Sequence, residues 1–460
     1  MKYELLNYLK SYNNANLIRY FYKEYDGDRD LERLTNFRLK EIASFIDLHG
    51  QKPQIMIIEA DPVEFLAVFL AGVIAEVDLF LCDPNWQQRE WQQVLQLVKP
   101  DLIYGRDISD FANFRSGVER IDSKSKLLET SSTIMIPTGG TSGKIRFAIH
   151  NWQTLSASVR GFQDYFNCQN INSFCTLPLY HVSGLMQFMR SFLTGGNLML
   201  CPYKTVKTKR IESDYHDYFI SLVPTQLEQL IEFVPGWLSE FKTVLVGGAP
   251  SRRSLLDTAR KYNISVALTY GMTETASGVV ALKSKEFLAG NSSSGKVLPH
   301  AKITINSLDR KIGLIEISCA SLCLGYYPSV FNSDRPFMTD DLGYFDRDGY
   351  LHLVGRNSHK IITGGENVFP AEVESAIYST NLVQDICVIG ISDRQWGQAV
   401  TAIYVPVEFN FDLDLLVQQV RRQLAKYKQP KNWIRVDRIP RNNRGKIDYQ
   451  KLKAIAQKNR

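Results

Sequence analysis

The sequence predicts an α/β protein built on parallel sheet, followed by a β-rich piece and a compact α+β unit. Three observations carry this expectation. Apolar runs of strand length alternate with helical stretches up to about Lys302, several of those runs end directly in Gly, Pro, Ser or Thr, and beyond Lys302 the texture changes to short β-like runs. A parallel strand is reached only by a crossover, so strand–helix–strand alternation favours parallel pairing, and ligands of such sheets gather at the carboxyl ends of the strands.

The elements follow in order. Gln54-Ile-Met-Ile-Ile reads as a buried strand, Glu64–Ala75 as a helix, and Val77-Asp-Leu-Phe-Leu-Cys as the next strand, closed by Asp83-Pro-Asn. Further strands are expected at Ile134-Met-Ile, Phe219-Ile-Ser-Leu-Val, Thr243-Val-Leu-Val and Val266-Ala-Leu-Thr. The β-rich piece contributes Ile303-Thr-Ile, Leu314-Ile-Glu-Ile-Ser and Tyr350-Leu-His-Leu-Val. After Gly355-Arg356 come a helix at Pro370–Tyr378, strands at Ile386-Cys-Val-Ile and Thr401-Ala-Ile-Tyr-Val, and an amphipathic helix at Leu413–Lys426. The expected boundary falls at Arg356–Ser358, dividing a body of residues 1–355 from a terminal unit of 356–460 with a hinge near 357–359.

Composition narrows the function classes. With 44% hydrophobic and 22% charged residues the chain can bury a substantial core and is not a disordered polymer. The net charge of +6 is scattered over small clusters at Lys204–Arg210, Arg421–Lys431 and Arg435–Arg444, without the dense stripe of a nucleic-acid binder. A mild positive balance suits anionic small molecules. Seven dispersed cysteines with no CxxC pair read as buried thiols of a reducing compartment. The N-terminus lacks the pattern of a signal peptide, and the longest apolar run, Phe65 to Ala75, is too short to span a bilayer, so a cytoplasmic location is expected.

Five loops could carry chemistry. Ile136-Pro-Thr-Gly-Gly-Thr-Ser-Gly-Lys144 follows an apolar strand and gathers Gly139, Gly140, Gly143, Thr138, Thr141, Ser142 and Lys144. Glycines let backbone N–H groups approach an anion, hydroxyls donate further bonds and the lysine adds charge, so it reads as a phosphate loop or as a plain surface turn. It is not a Walker A motif, because the residue five before Gly143 is Thr138 and Ile145 follows the lysine. In Leu268-Thr-Tyr-Gly-Met-Thr-Glu-Thr-Ala-Ser277, Tyr270 can stack on a base, Thr273 can donate to a phosphate and Glu274 offers a hard oxygen to Mg²⁺. The same stretch could instead be a helix N-terminus capped by Thr273.

Asp341, in Thr339-Asp-Asp-Leu-Gly, could accept from a ribose diol or be an exposed acid, while Asp346-Arg-Asp-Gly reads as a hairpin turn. Ile362-Thr-Gly-Gly-Glu is a Gly-rich turn entering a helix, and Pro440-Arg-Asn-Asn-Arg-Gly-Lys446 presents one lysine near the C-terminus.

Taken together and in this order, these stretches resemble the adenylate-forming superfamily of acyl-CoA synthetases, luciferases and adenylation domains, from about Ser132 to Lys446. The resemblance implies a large N-terminal domain of two αβ subdomains plus a small β-barrel-like subdomain, and a small mobile α+β C-terminal lid. It implies ATP and CoA as co-substrates with Mg²⁺. Thr138 to Lys144 would hold phosphates, Tyr270 with Gly271 the adenine, Thr273 the α-phosphate, Glu274 the metal, and Asp341 with Arg356 the ribose. Gly247, Gly248 and Ala249 would lie between the acid and adenine pockets, Gly364 and Gly365 would approach CoA, and Lys446 would act on the bond being made.

Two stretches depart from that family. The usual Gly-x-Pro-Lys-Gly is replaced after Gly143 by Lys144, Ile145, Arg146 and Phe147, and Ser358 and His359 stand where an Asp pair is common.

Within the superfamily, Leu177-Pro-Leu-Tyr-His-Val-Ser-Gly-Leu-Met-Gln-Phe-Met-Arg190 is similar to the o-succinylbenzoate:CoA ligases of menaquinone and phylloquinone biosynthesis. That similarity implies an aromatic dicarboxylic acid held by His181, Ser183 and Arg190, with His181 also among the catalytic groups. Arg190 as an ordinary surface or salt-bridged arginine and His181 as a satisfied core histidine remain the alternatives. The rival activities are another aryl- or acyl-CoA ligase, a free-standing enzyme loading a carrier protein, and a nucleotide-binding regulator without catalysis.

Overall fold

Alternating strands and helices in the first half of the chain produce two sheets with helices packed between them. The computed structural model describes residues 5–6, 9–10, 18–20, 30–107, 132–139, 144–208, 214–307, 312–331, 335–408, 411–441 and 447–458. The first sheet runs, in spatial order, Ser329–Val330, Gly325–Tyr326, Ile145–His150, Ile134–Gly139, Asp78–Leu81, Gln54–Ile58 and Leu102–Gly105. Its last four strands are parallel, as the alternation predicts, and the other three are added antiparallel. The second sheet, of eight strands, is parallel from Ile18–Tyr20 to Val266–Met272 and ends in the antiparallel strands Ser277–Ala281 and Lys296–Val297.

The helix at Pro62–Ile74 is apolar nearly all round, with only Glu64 not buried, because it lies inside this stack. Asp61 starts it by accepting from the Val63 and Glu64 amides, and Pro62 occupies the first turn, where a missing N–H costs nothing. Its Phe69 meets Phe188 of the helix Val182–Thr194 edge to face, with ring centroids 6.3 Å apart. One apolar core, with Ile57, Leu81, Phe69, Phe188 and Leu200 among its members, therefore joins both sheets. Full burial of each such phenylalanine is worth about 1.5–3 kcal/mol. The packing places the start of the Val182–Thr194 helix at the carboxyl edge of the first sheet, where Asp83 follows the strand Asp78–Leu81.

Beyond residue 300 the alternating pattern gives an antiparallel meander of Ala301–Asn306, Gly313–Cys319, Phe337–Phe345 and Leu351–Arg356. Among the described residues it is an open sheet rather than a closed barrel. Part of its last edge strand is covered by a bridge between Leu351 and Gly295, and its apolar face packs on Tyr270, Val279 and Val280. The hairpin turn expected at Asp346 is present: its carboxylate accepts from the amides of Asp348 and Tyr350.

The terminal unit is a five-stranded sheet centred on Val383–Asp393 and Gly397–Pro406. Strand alternation gives it two apolar faces. Ile386, Val388, Val400 and Ala402 face the helices Pro370–Tyr378 and Leu413–Gln423, while Cys387, Ile389, Ile403 and Val405 face Tyr449–Lys458. The fold is thus mixed α/β, a large N-terminal domain with several sheets followed by a small C-terminal one. No helix among the described residues is long and apolar enough to cross a membrane.

Among the described residues, Ser358 and Arg252 make contacts between the terminal unit and the body. The Ser358 amide donates to Asp340 at 3.0 Å and its hydroxyl bonds the same carboxylate. Arg252 reaches the Gln384 carbonyl at 2.7 Å, lies over the Tyr378 ring and pairs with Glu228.

Candidate active site

The strands Ile134–Gly139 and Ile145–His150, which flank residues 140–143, pair antiparallel. Thr138 faces Arg146 and Gly139 faces Ile145, so strand pairing resumes at Ile145. Ile145, Arg146 and Phe147, which depart from the usual Pro-Lys-Gly, open the strand Ile145–His150, where β-branched and aromatic residues are at home. Lys144 is exposed, while Gly140, Thr141, Ser142 and Gly143 lie outside the described residues.

The second loop is not the helix N-terminus capped by Thr273 that one of the sequence readings offered. The strand continues through Tyr270 and Gly271 to Met272, and Thr273–Thr275 forms a single 3₁₀ turn whose N-cap is Met272, not Thr273. Ala276 (φ 49°) and Ser277 (φ 90°) then reverse the chain in the left-handed region, a strained conformation for residues with side chains. Gly271 sits against the returning strand, where a Cβ would lie 2.0 Å from the Ser277 carbonyl oxygen.

Four successive carbonyls anchor this turn to three separate segments. His150 donates from Nε2 to Thr273 at 2.8 Å, the Cys323 amide to Glu274 at 2.7 Å, the Ser321 hydroxyl to Thr275 at 2.9 Å, and the Ser158 hydroxyl to Ala276 at 2.6 Å. Burial lowers the pKa of His150 to about 4, which keeps the ring neutral. Because a carbonyl only accepts, the proton sits on Nε2 and Nδ1 faces the Thr154 hydroxyl at 3.0 Å. None of these supporting residues carries a sequence signal that distinguishes it from core filling.

The turn presents Glu274, buried at 6% exposure. Its Oε1 accepts from the Tyr326 hydroxyl at 2.6 Å and from Thr138 at 3.4 Å. Burial and the neighbouring Glu274 raise the Tyr326 pKa, so the phenol remains a donor. The Arg146 guanidinium lies 4.1 Å over the Tyr326 ring. No group of three His, Cys, Asp or Glu suited to a metal occurs among the described residues. One buried carboxylate beside a threonine hydroxyl fits Mg²⁺ arriving on nucleotide phosphates, since that ion keeps most of its shell as water and phosphate oxygen.

Beside this group, Tyr270 donates to Asp341 Oδ2 at 2.9 Å and Arg356 Nε donates to Oδ1 at 3.2 Å. Asp341 and Arg356 are direct cross-strand partners, and burial and Asp341 raise the pKa of Tyr270. Gly247 packs so closely on Thr269 that a Cβ would meet its hydroxyl at 2.4 Å, and Gly248 follows with φ 82°; Ala249 continues that loop.

On the other side of the turn, His181 caps the Val182–Thr194 helix, with Nε2 4.0 Å from Asp83, and Ser183 lies in its first turn. The helix runs through Gly184, where a Cβ would lie 2.1 Å from the Pro178 carbonyl oxygen. Two turns on, Arg190 is 5% exposed, donates to Ser277 Oγ at 3.1 Å, and stacks 4.0 Å over the Phe162 ring. Its Nε has no hydrogen-bond partner and no described acid pairs with it, so the salt-bridged alternative is not what the structure contains. Burial lowers its pKa to about 10, still cationic at neutral pH. His300, lowered to about 4 by burial and by Arg190, is neutral beside it.

Thr138, Tyr270, Glu274, Asp341, Arg356 and Arg190 are therefore linked around one turn. Gly364 and Gly365 instead form the tip between the strands Ile361–Thr363 and Glu366–Val368, with φ values of 59° and 85°. Among the described residues no contact joins them to that turn, and Lys446 lies outside the described residues.

Comparisons with known proteins bear on the family and the fold. The profile of the family described as AMP-binding enzyme matches residues 35–327, and that of the AMP-binding enzyme C-terminal domain matches residues 372–446. The 2-succinylbenzoate–CoA ligase of Enterococcus faecalis is 33% identical over 336 residues, covering 70% of this chain and 68% of that protein. That of Lactococcus lactis is 26% identical over 443 residues, covering 91% and 93%. Among solved structures, o-succinylbenzoate CoA synthetase from Bacillus subtilis in complex with the acyl-adenylate intermediate OSB-AMP superposes with a TM-score of 0.79 at 24% identity, covering 97% and 98% of the two chains. ATP-bound MatB from Rhodopseudomonas palustris gives 0.78 at 22% identity, covering 95% of each.

Proposed function

The chain belongs to the AMP-binding enzyme family of AMP-forming acyl-CoA ligases, and from that premise we propose that its acid is o-succinylbenzoate, which it joins to CoA through an acyl-adenylate. The observation that carries the choice of acid is Arg190. A buried guanidinium without an acidic partner is too costly to keep unless an anion reaches it, and an aromatic dicarboxylate brings a second carboxylate for that purpose. The names of the relatives point the same way.

The chemistry follows from the positions. A carboxylate is a poor electrophile, so it must first acquire a leaving group. Its oxygen attacks the α-phosphorus of ATP, pyrophosphate departs, and the CoA thiolate then displaces AMP at the carbonyl carbon. In this reading the Thr138–Lys144 segment holds phosphate oxygens, Thr273 donates to the α-phosphate, and Tyr270, Asp341 and Arg356 frame the nucleoside. Glu274 would hold Mg²⁺, which supplies positive charge against the triphosphate. Lys446 stabilises charge between carboxylate and phosphorus, and His181 with Ser183 lines the acid channel. Gly364 and Gly365 form the tip that approaches pantetheine after the terminal unit has turned about residues 357–359.

A panel comparing pyrophosphate release with o-succinylbenzoate, benzoate, coumarate and fatty acids, with and without CoA, tests the proposal. The expected result is release and CoA consumption with o-succinylbenzoate alone; equal turnover of a monocarboxylate would sink it. The hinge has its own test. Ser358→Pro removes the N–H that bonds Asp340 and fixes φ, so it is expected to slow one half-reaction several-fold more than the other in single-turnover assays. Equal slowing of both, at unchanged melting temperature, would mean a static boundary.

A further inference from the structure

We infer that Tyr326 is a positioning residue that aims Glu274 at the nucleotide's metal, an inference that rests on the reading of Glu274 as the metal-binding carboxylate. A carboxylate on a strained turn can rotate about its last bond, and only one orientation presents the correct oxygen outward. Here both donors act on the same oxygen: the Tyr326 hydroxyl at 2.6 Å and the Thr138 hydroxyl at 3.4 Å both meet Oε1. No described residue donates to Oε2, which is left as the hard ligand.

Tyr326 is itself fixed. It lies on the strand Gly325–Tyr326, whose Tyr326 is paired with Ala148, and Arg146 covers its ring at 4.1 Å. Arg146 faces Thr138 across the hairpin. Thr138, Glu274, Tyr326 and Arg146 thus close a ring of contacts that ties the phosphate-loop hairpin to the carboxylate. A phosphate loop and a metal ligand from different sheets acquire one fixed separation by this route, and the two ends of a bound triphosphate and its ion demand that separation.

The test is calorimetric binding of ATP across a Mg²⁺ series, for wild type, Tyr326→Phe, Glu274→Gln and the double variant. Phenylalanine keeps the ring beneath Arg146, so the fold should be retained, as a melting curve checks. In Tyr326→Phe the Mg²⁺ midpoint for tightening ATP is expected to rise about tenfold, the scale of a hydrogen bond to a charged group. ATP affinity without Mg²⁺ and the KM for the acid should stay as they are, which a general loosening of the site would not allow. The double variant should bind no more weakly than Glu274→Gln alone. A wild-type midpoint in Tyr326→Phe, with a shifted one in Glu274→Gln, overturns the role of Tyr326 and leaves that of Glu274 standing. An unshifted midpoint in Glu274→Gln overturns both.

Discussion

Lys446→Ala is expected to lower the rate of acyl-adenylate formation by about 10²–10³-fold, the usual cost of removing one charge-stabilising donor from a transition state. Thioester formation from supplied acyl-adenylate should change only a few-fold. The asymmetry has a physical cause: negative charge moves between carboxylate, phosphorus and pyrophosphate only in the first half-reaction, so a cation placed there has little to stabilise in the second. The root of the lysine-bearing segment is well anchored. Arg441 and Ile447 form an antiparallel bridge, the Asp448 amide donates to the Pro440 carbonyl at 2.9 Å, and Arg441 grips Asp385 at 2.8 and 3.1 Å. Pyrophosphate release in the absence of CoA, followed by rapid-quench detection of the thioester, separates the two steps. Acyl-adenylate formation at near wild-type rate would falsify the assignment.

Arg190→Ala is expected to raise the KM for o-succinylbenzoate by about ten- to a hundredfold, the equivalent of about 1.5–3 kcal/mol for a charge-assisted contact, while barely moving that for ATP. Arg190 lies between Phe162 and Ser277, and Ser277 ends the same turn that carries Glu274, so an anion on Arg190 would belong to a molecule reaching the nucleotide site. Truncation also removes stacking on Phe162. Arg190→Met, which fills the volume without charge, should therefore show the same loss. Both variants should discriminate less between the dicarboxylate and an analogue lacking the ring carboxyl. If the preference for the dicarboxylate survives in both, Arg190 is structural and the pocket cation lies elsewhere.

Much of the architecture was legible because each local pattern agreed with its tertiary setting. Gln54–Ile58 is an apolar run because it is buried on both faces, and Pro62–Ile74 is apolar all round because sheets and helices enclose it. The strand Ile134–Gly139 leading into the glycine-rich stretch was legible as well, from its apolar run. The turn at Thr273 was harder. Propensity favoured a helix capped by threonine, but the strand persists to Met272 because Gly271 lets it pass within contact of Ser277. What holds that turn was not legible at all. His150, Ser158 and Ser321 act through single bonds to backbone carbonyls, and such bonds leave no spacing or composition to read. The pairing of Tyr326 with Glu274 joins residues 52 apart in the chain and likewise has no local signature.

Asp340 and Asp341 are neighbours on one strand with opposite duties: Asp340 faces Ser358, and Asp341 faces Tyr270 and Arg356. Since successive side chains of a strand point to opposite sides, a single residue inserted just before them would turn each carboxylate to the opposite face and leave the position that faces Ser358 to a different residue. The strand Phe337–Phe345 therefore behaves as a ruler whose count, odd or even, is as much a part of the arrangement as the residues themselves.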